Sequence, residues 1–374
     1  MNFTRLTVIA CLACVFQISN GQKLKPGFDA QEYFELLKVS SMQGDSLYNP
    51  NLPYPEKFKR VYRSSVMGLD NRWELWISPD SVAVVSIRGT TMNQLSWMEN
   101  FYAAMVPAKG MITMADNFNF DYELSPDKDA AVHLGWLIGT AFLARDIVPK
   151  IDSLKARGIR DIIIMGHSQG GAIATLLTSY LQQLKTLNKL DSDIQFKTYA
   201  SAAPKAGNLY YAYSFEAISK GDWAFNVVNS ADWVPEGPLS VQTTADFNNA
   251  NPFQLSDELL KKQSFFKRMI LSCIYRKVEN PPKKANKRYQ KYFGKMVGKN
   301  LEKKLPGYVQ PAFYNSSNYT RVGHQIVLYA TADYFKLFPN DPKMIWNHHR
   351  YEAYYYLLNG TIVLLNGNTE KSPM

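Results

Sequence analysis

Cysteine is scarce: three in 374 residues, and two of them, Cys11 and Cys14, sit in an apolar run near the amino end. If that run is removed only Cys273 remains. No intramolecular disulfide is then available, and the fold must rely on its own core, which a chain of this length can bury. Histidine is also sparse, five in all. No His-Glu-x-x-His and no closely spaced Cys/His set occurs, so metal catalysis has no support, and neither a metal nor a cofactor is expected. Long apolar runs are lacking too. The run at residues 6–18 is too short for a membrane span. There is no internal repeat and no low-complexity tract. With 46% hydrophobic and 20% charged residues, the composition is that of a globular chain and excludes disorder.

What is present begins with the amino end itself. Arg5 precedes the apolar run, and Ser19-Asn20-Gly21 places small residues where a signal peptidase reads. This predicts a secretory signal over residues 1–21 and an exported protein, with residues 22–374 as a single domain. A retained anchor or a buried amino-terminal helix is the alternative. A lipid-modified Cys11 or Cys14 is a weaker one, because the apolar run before Cys11 is short.

Further along, residues 82–87 form a compact β-branched run that stops at Arg88-Gly89-Thr90-Thr91. A helical pattern over residues 128–151 carries Ala131, Leu134, Leu137, Ile138, Ala141 and Phe142, with Pro149 expected to stop it. A strand at 161–165, a helix at 170–187, and strands at 196–200 and 224–228 follow. Strand–loop–helix alternation of this kind predicts an α/β fold with a mainly parallel central sheet flanked by helices. In such sheets chemistry gathers at the carboxyl ends of the strands, where Thr90, Ser168 and Asp232 all fall.

Residues 246–306 differ from the rest. Between positions 261 and 304 there are 15 Lys or Arg and 2 acidic residues, a net +13 against +10 for the whole chain. Two amphipathic helices separated by Asn280-Pro281-Pro282 fit here, one bearing Leu259, Leu260, Phe266, Met269, Ile270 and Ile274, the other Tyr289, Tyr292, Phe293, Met296, Val297, Leu301 and Leu305. The segment reads as a basic helical insertion or cap. Such a hairpin suits an anionic membrane or lipid interface, or simply solubilises a helical decoration. Nucleic acid is disfavoured, since the charge lies on amphipathic helices beside no recognition motif and the chain reads as exported.

The stretch IIIMGHSQGG, residues 162–171, carries the chemistry. A serine hydroxyl is a poor nucleophile until a base takes its proton. In Gly-x-Ser-x-Gly a sharp strand-to-helix turn requires small residues at Gly166 and Gly170, and the helix that follows offers N–H groups where an oxyanion forms. Here strand and helix both flank the motif, so Ser168 reads as a nucleophile and Gly166, His167 and Gly170 as its elbow. In FNVVNSADWVP, Asp232 follows a strand and can orient a histidine, although an aspartate capping its own loop gives the same pattern. For the base, His167 and His133 have packing or hydrogen-bonding roles and His324 begins a strand. His348 and His349, late in the chain at a loop-to-helix boundary, fit the Ser–Asp–His order.

These segments together resemble the class 3 lipases, an α/β-hydrolase family that includes secreted fungal triacylglycerol lipases. SIRGTT is similar to the family's arginine–glycine–serine/threonine segment, AVHLGW to its helix before the nucleophile strand and GHSQGG to its elbow. NSADWVP is similar to its acid loop, and HRYEAYYYLL to its terminal histidine segment. The resemblance covers residues 82–358, with the basic insertion outside the pattern. It implies Ser168 as nucleophile, Asp232 as acid and His349 as base, with His348 as the alternative base. His349 is preferred because Glu352 follows it in the family's histidine–x–x–glutamate spacing. Thr90 and Gln169 would be the oxyanion donors. Ser96 stands before Trp97 where the family often has aspartate, so the oxyanion loop is expected to be tethered differently.

The implied activity is hydrolysis of carboxylic esters, of lipid or of small substrates. The alternative is a catalytically inactive α/β-hydrolase-fold protein used for binding or adhesion. Acyl length and leaving group depend on pocket shape, which sequence does not give.

Overall fold

A computed structural model describes residues 22–44, 52–115, 118–248, 250–251 and 264–369. The expected leader at 1–21 and the Leu259–Leu260 part of the expected insertion lie outside the described residues.

Seven strands make the central sheet: β1 (Lys59–Arg63), β2 (Trp73–Ile77), β3 (Val82–Ile87), β4 (Asp161–His167), β5 (Gln195–Ser201), β6 (Ala224–Asn229) and β7 (His324–Leu328). They lie side by side in chain order. The first two pairings are antiparallel and the remaining four are parallel. The helices are α1 (Ala30–Ser41), α2 (Gln94–Phe101), α3 (Leu134–Ala156), α4 (Gln169–Thr186), α5 (Leu209–Ile218), α6 (Phe265–Gln290), α7 (Val297–Glu302), α8 (Ala332–Leu337) and α9 (Tyr351–Thr369).

The runs in β3 and β4 are continuously apolar because both faces of the sheet are covered. Ala83, Val85, Ile87, Ile162 and Ile164 join a core with α3, α4 and α5. Their alternating neighbours Val82, Val84, Ile163 and Met165 join a second core with α1 and α9. The helix expected over 170–187 is α4, and the α/β expectation holds.

Two proline expectations do not. Pro149 lies inside α3, and residues 131–133 form a short strand rather than the start of that helix. Proline removes one helical hydrogen bond, here to the Arg145 carbonyl. Both residues are exposed, so water can satisfy that carbonyl. The basic segment likewise is not two helices parted at Asn280-Pro281-Pro282. α6 runs unbroken through Pro281 and Pro282 and continues through a π-helical turn, Lys291–Met296, into α7. The carbonyls deprived of partners belong to Lys277 and Val278, again on an exposed stretch.

Candidate active site

Ile87 and Gly166 are register partners, so the loops leaving β3 and β4 emerge together. β4 turns into α4 through Ser168 alone, held at φ 61° and ψ −132°. A non-glycine residue there costs about 1–3 kcal/mol. The surroundings impose it: the Ser168 N–H donates to the Ser201 carbonyl (2.9 Å), and the Ser168 carbonyl accepts from the Gly171 N–H (2.9 Å). A Cβ at Gly166 would stand 2.1 Å from the Gly170 carbonyl oxygen, and one at Gly170 would stand 2.5 Å from that of Ile87. Hence both positions are glycine. Ser168 is half-buried at the amino end of α4, where the first helical N–H groups lack intrahelical partners.

Asp232 lies in the loop after β6, almost fully buried. Its Oδ2 accepts from His349 Nδ1–H (2.7 Å) and from the Tyr354 hydroxyl (2.8 Å), and its Oδ1 accepts from the Val234 N–H (3.0 Å). Burial pushes this carboxyl up, yet the His349 ring and the other two donors together hold it below the ordinary carboxylate value. With Nδ1 of His349 committed to Asp232, Nε2 is the nitrogen left to exchange a proton with substrate or nucleophile. Among the described residues, no hydrogen bond joins His349 to the Ser168 hydroxyl.

His348, its neighbour, faces elsewhere. Its Nε2–H donates to Asn340 Oδ1 (2.8 Å), and its Nδ1 accepts from the Tyr334 hydroxyl (2.8 Å). Both ring nitrogens are occupied by structural partners, and burial lowers its pKa.

His167, beside Ser168, is tied to the His349 loop. Its Nε2 lies 2.8 Å from the His349 carbonyl and its Nδ1 lies 2.9 Å from Ser201 Oγ. A carbonyl only accepts, so Nε2 carries the proton and Nδ1 accepts from Ser201. Ser201 Oγ in turn accepts from the Tyr33 hydroxyl (2.6 Å) on α1. Burial drives the His167 pKa down to about 3, with the nearby His349 acting the same way, so the ring stays neutral and the donor order is fixed.

The Thr90 loop is clamped from three sides. Asp70, itself at φ 73°, accepts from the Thr91 hydroxyl (2.5 Å) and Arg88 Nη2 (3.1 Å) through Oδ2, and from Asn93 Nδ2 (3.1 Å) through Oδ1. Asn100 Nδ2 donates to Thr90 Oγ1 (2.9 Å), which leaves the Thr90 hydroxyl proton free to point at a ligand. Ser96 supplies the expected different tether. Its Oγ accepts from the Thr91 N–H (3.2 Å) and donates to Gln169 Oε1 (3.1 Å), so one hydroxyl links the loops bearing both proposed oxyanion donors. Gly89 completes the approach, since a Cβ there would stand 2.8 Å from the His167 carbonyl oxygen.

The structure thus brings Asp232 and His349 into contact, joins the His349 loop to the elbow through His167, and links Thr91 of the Thr90 loop to Gln169 through Ser96. It keeps His348 apart. Sequence reasoning missed Tyr354, Asp70, Asn100, Ser201 and Tyr33. Only Tyr354 lay within a recognised motif, and nothing there set it apart from Tyr355 and Tyr356.

A mainly parallel sheet with a strained serine between strand and helix, and an aspartate–histidine pair on later loops, is an α/β-hydrolase fold. The model of the lipase (class 3) family matches residues 84–242 of the chain. The matched span holds Thr90, Ser168, Gln169 and Asp232, and leaves His349 beyond it. The secreted mono- and diacylglycerol lipase 1 of Fusarium solani is 26% identical over 193 residues, 50% of either chain. The chain therefore spans about half the length of that curated relative. Among solved structures, Rhizomucor miehei lipase in its propeptide complex is similar at 19% identity and TM-score 0.41, over 57% of this chain and 65% of that one. Lip2 lipase of Yarrowia lipolytica is similar at 19% identity and TM-score 0.42, over 58% and 78%.

Proposed function

We propose that this protein is a secreted serine hydrolase of carboxylic esters, acting on lipid (acylglycerol) esters through an acyl-enzyme. The observation that carries the reading is the 2.7 Å contact between Asp232 and His349, 117 residues apart in sequence, beside a strained serine. Ser168 Oγ attacks the acyl carbonyl as His349 Nε2 takes its proton, and Asp232 stabilises the resulting imidazolium. The Thr90 and Gln169 N–H groups, with the Thr90 hydroxyl, receive the charge on the carbonyl oxygen. His349 returns the proton to the departing alkoxide, which leaves as the alcohol. Water then attacks the acyl-serine, giving its proton to His349, which hands it back to Ser168 as the acid departs.

Lipid rather than small polar esters is favoured by an aromatic rim. The ring of Trp346 is centred 5.8 Å from that of His349 and 5.0 Å from that of Trp233, and Trp97 stands 6.0 Å from Trp346. Trp233 and Trp346 are well exposed beside the base, an apolar border suited to an acyl chain. The Fusarium relative, named a secreted lipase of mono- and diacylglycerols, supports both substrate class and export. No helix among the described residues is long and apolar enough to cross a membrane. Peripheral contact with an anionic lipid interface belongs to the same proposal.

The test is labelling by an active-site serine phosphonate together with hydrolysis of p-nitrophenyl esters of increasing acyl length. Ser168→Ala should abolish stoichiometric labelling and lower turnover at least about a thousandfold. A folded Ser168→Ala protein with wild-type turnover would end the proposal, and wild-type protein that never labels would point to a binding role.

A further inference from the structure

α6 is about 39 Å long at 1.5 Å per residue, and the fold treats its two halves differently. The carboxyl-terminal half is seated. Asn286 and Tyr289 are buried, and Asn286 exchanges side-chain hydrogen bonds with Asn315 (3.2 Å) and Ser317 (2.9 Å). The amino-terminal half is not. Phe265, Phe266, Met269, Ile270 and Ile274 are each between 54% and 76% exposed. Five turns take 18 residues, so Phe266 shares its azimuth with Lys284, and Ile270 shares its own with Arg288. Asn286 and Tyr289 mark the opposite side. One outward face is therefore apolar at one end and basic at the other. Over residues 264–304 there are 13 Lys or Arg against 2 acidic residues, a net +11 that exceeds the +10 of the whole chain.

The geometry points to α6 as an arm that docks this protein on an anionic lipid surface, its basic half on the headgroups and its Phe265–Ile274 end inserted at the headgroup–acyl boundary. A contiguous run of large exposed apolar side chains marks an interaction surface. The charge beside it selects an anionic partner, and the interleaved Lys267, Arg268, Arg276 and Lys277 can lay their stems along a lipid interface with the charges in water. An acidic protein would match the charge, but it has less use for two phenylalanines and two isoleucines at a helix end. The position of the arm suits this role. Through the π-helical turn it runs into α7, which packs against α2, the helix leaving the Thr90 loop. The basic half of α6 is thus joined through α7 to the helix that leaves the Thr90 loop. The inference deepens the lipid-ester reading, yet the docking itself does not depend on hydrolysis.

The experiment is vesicle flotation of the full chain at low salt, with phosphatidylcholine alone or mixed with phosphatidylserine, in wild type and in Ser168→Ala. Both should bind the mixed vesicles, less so as salt rises. The combined variant Lys283→Gln, Lys284→Gln, Lys287→Gln, Arg288→Gln and Lys291→Gln should bind them at least about a hundredfold more weakly. Phe265→Ser with Phe266→Ser and Ile270→Ser should weaken binding with little change in its salt dependence. Hydrolysis of a short soluble ester should be unchanged in both variants. Equal binding by wild type and the glutamine variant overturns the inference. So does wild type that ignores phosphatidylserine, or a concentration-dependent dimer that the serine variant abolishes without any vesicle binding. If vesicles are bound as described but no ester is hydrolysed, the hydrolase reading fails and the docking surface stands.

Discussion

At the scale of single residues, the Asp232 carboxylate receives the hydroxyl of Tyr354 on the same oxygen that orients His349. Tyr354 is fully buried, so Phe at this position keeps the packing and removes only the hydrogen bond. A hydrogen bond to a charged group contributes about 1.5–3 kcal/mol, and Tyr354→Phe should lose stability of that order at neutral pH. The sign with pH is set by Asp232, whose native pKa is lowered. Its stabilisation is fully present above the ordinary carboxylate pKa and is lost as pH falls through the native one. The deficit of Tyr354→Phe in urea unfolding should therefore shrink as the solution is acidified, whereas a constant deficit would assign the hydroxyl a role unrelated to the Asp232 charge. Residues differ in how visible they were beforehand. Ser168 stands out because its turn demands glycines at fixed spacing. His348 and His349 are adjacent, so their distinction rests on which loop carbonyls and carboxylates they meet, and only the family's histidine–x–x–glutamate spacing hinted at it. Tyr354 sits in a run of three tyrosines whose burial differs, and no sequence pattern reports that.

At the scale of elements, the Thr90 loop and the start of α4 act as one unit because Ser96 bonds to both. Ser96→Ala leaves the proposed oxyanion donors in place but unties them. Loss of a donor itself costs roughly a hundredfold or more in kcat, so untying should cost less, about tenfold, with KM for a soluble ester nearly unchanged. Unaltered kcat in Ser96→Ala would mean that Asp70 and Asn100 suffice to hold the loop. The strands of this unit were legible because burial on both faces selects mostly apolar runs, at 82–85 and 162–165. The clamp was not: Asp70 lies on a turn 20 residues before Thr90, and nothing in its local sequence points across that gap. Proline misled twice for one physical reason. The rule that it ends helices assumes the orphaned carbonyl finds no other donor, and at Arg145, Lys277 and Val278 solvent is available.

At the scale of the whole molecule, three buried titratable groups set opposing slopes of stability against pH. Burial lowers His133 and His167 to about 3. Unfolding lets both take up protons below the ordinary histidine pKa, so each destabilises the fold as pH falls from about 6.5. Glu99, on α2 and facing α3 with both oxygens accepting from Asn71 Nδ2 (3.1 and 2.8 Å), is raised well above the carboxylate range by burial. It acts in reverse: the unfolded chain releases its proton above the ordinary value, so stability falls as pH rises. Below the ordinary histidine pKa the buried histidines and Glu99 therefore pull stability in opposite directions with pH. The histidine contribution fades as pH passes the ordinary histidine value, while that of Glu99 lasts until its own raised native pKa is reached. Glu99→Gln, which needs no proton to stay uncharged, should steepen the loss of stability in acid and remove the decline with rising pH that Glu99 imposes. Urea midpoints from pH 5 to 8.5 measure both, and a Glu99→Gln curve parallel to wild type would place a charged carboxylate at this site.

The bond from His167 to the His349 carbonyl spans 182 residues. That distance is also a delay. A ribosome adding about 5–20 residues per second needs roughly 10 to 40 seconds to pass from the serine elbow to the histidine that completes it. Through that interval the elbow can be formed on an emerging sheet while the histidine proposed as its base is still unmade, so a nascent chain carries the strained Ser168 turn alone. Stalled chains ending near residue 300 should fold the sheet as far as β6 yet resist phosphonate labelling, and full-length chains should label. The proposed hydrolase activity would thus have to wait until synthesis is nearly done.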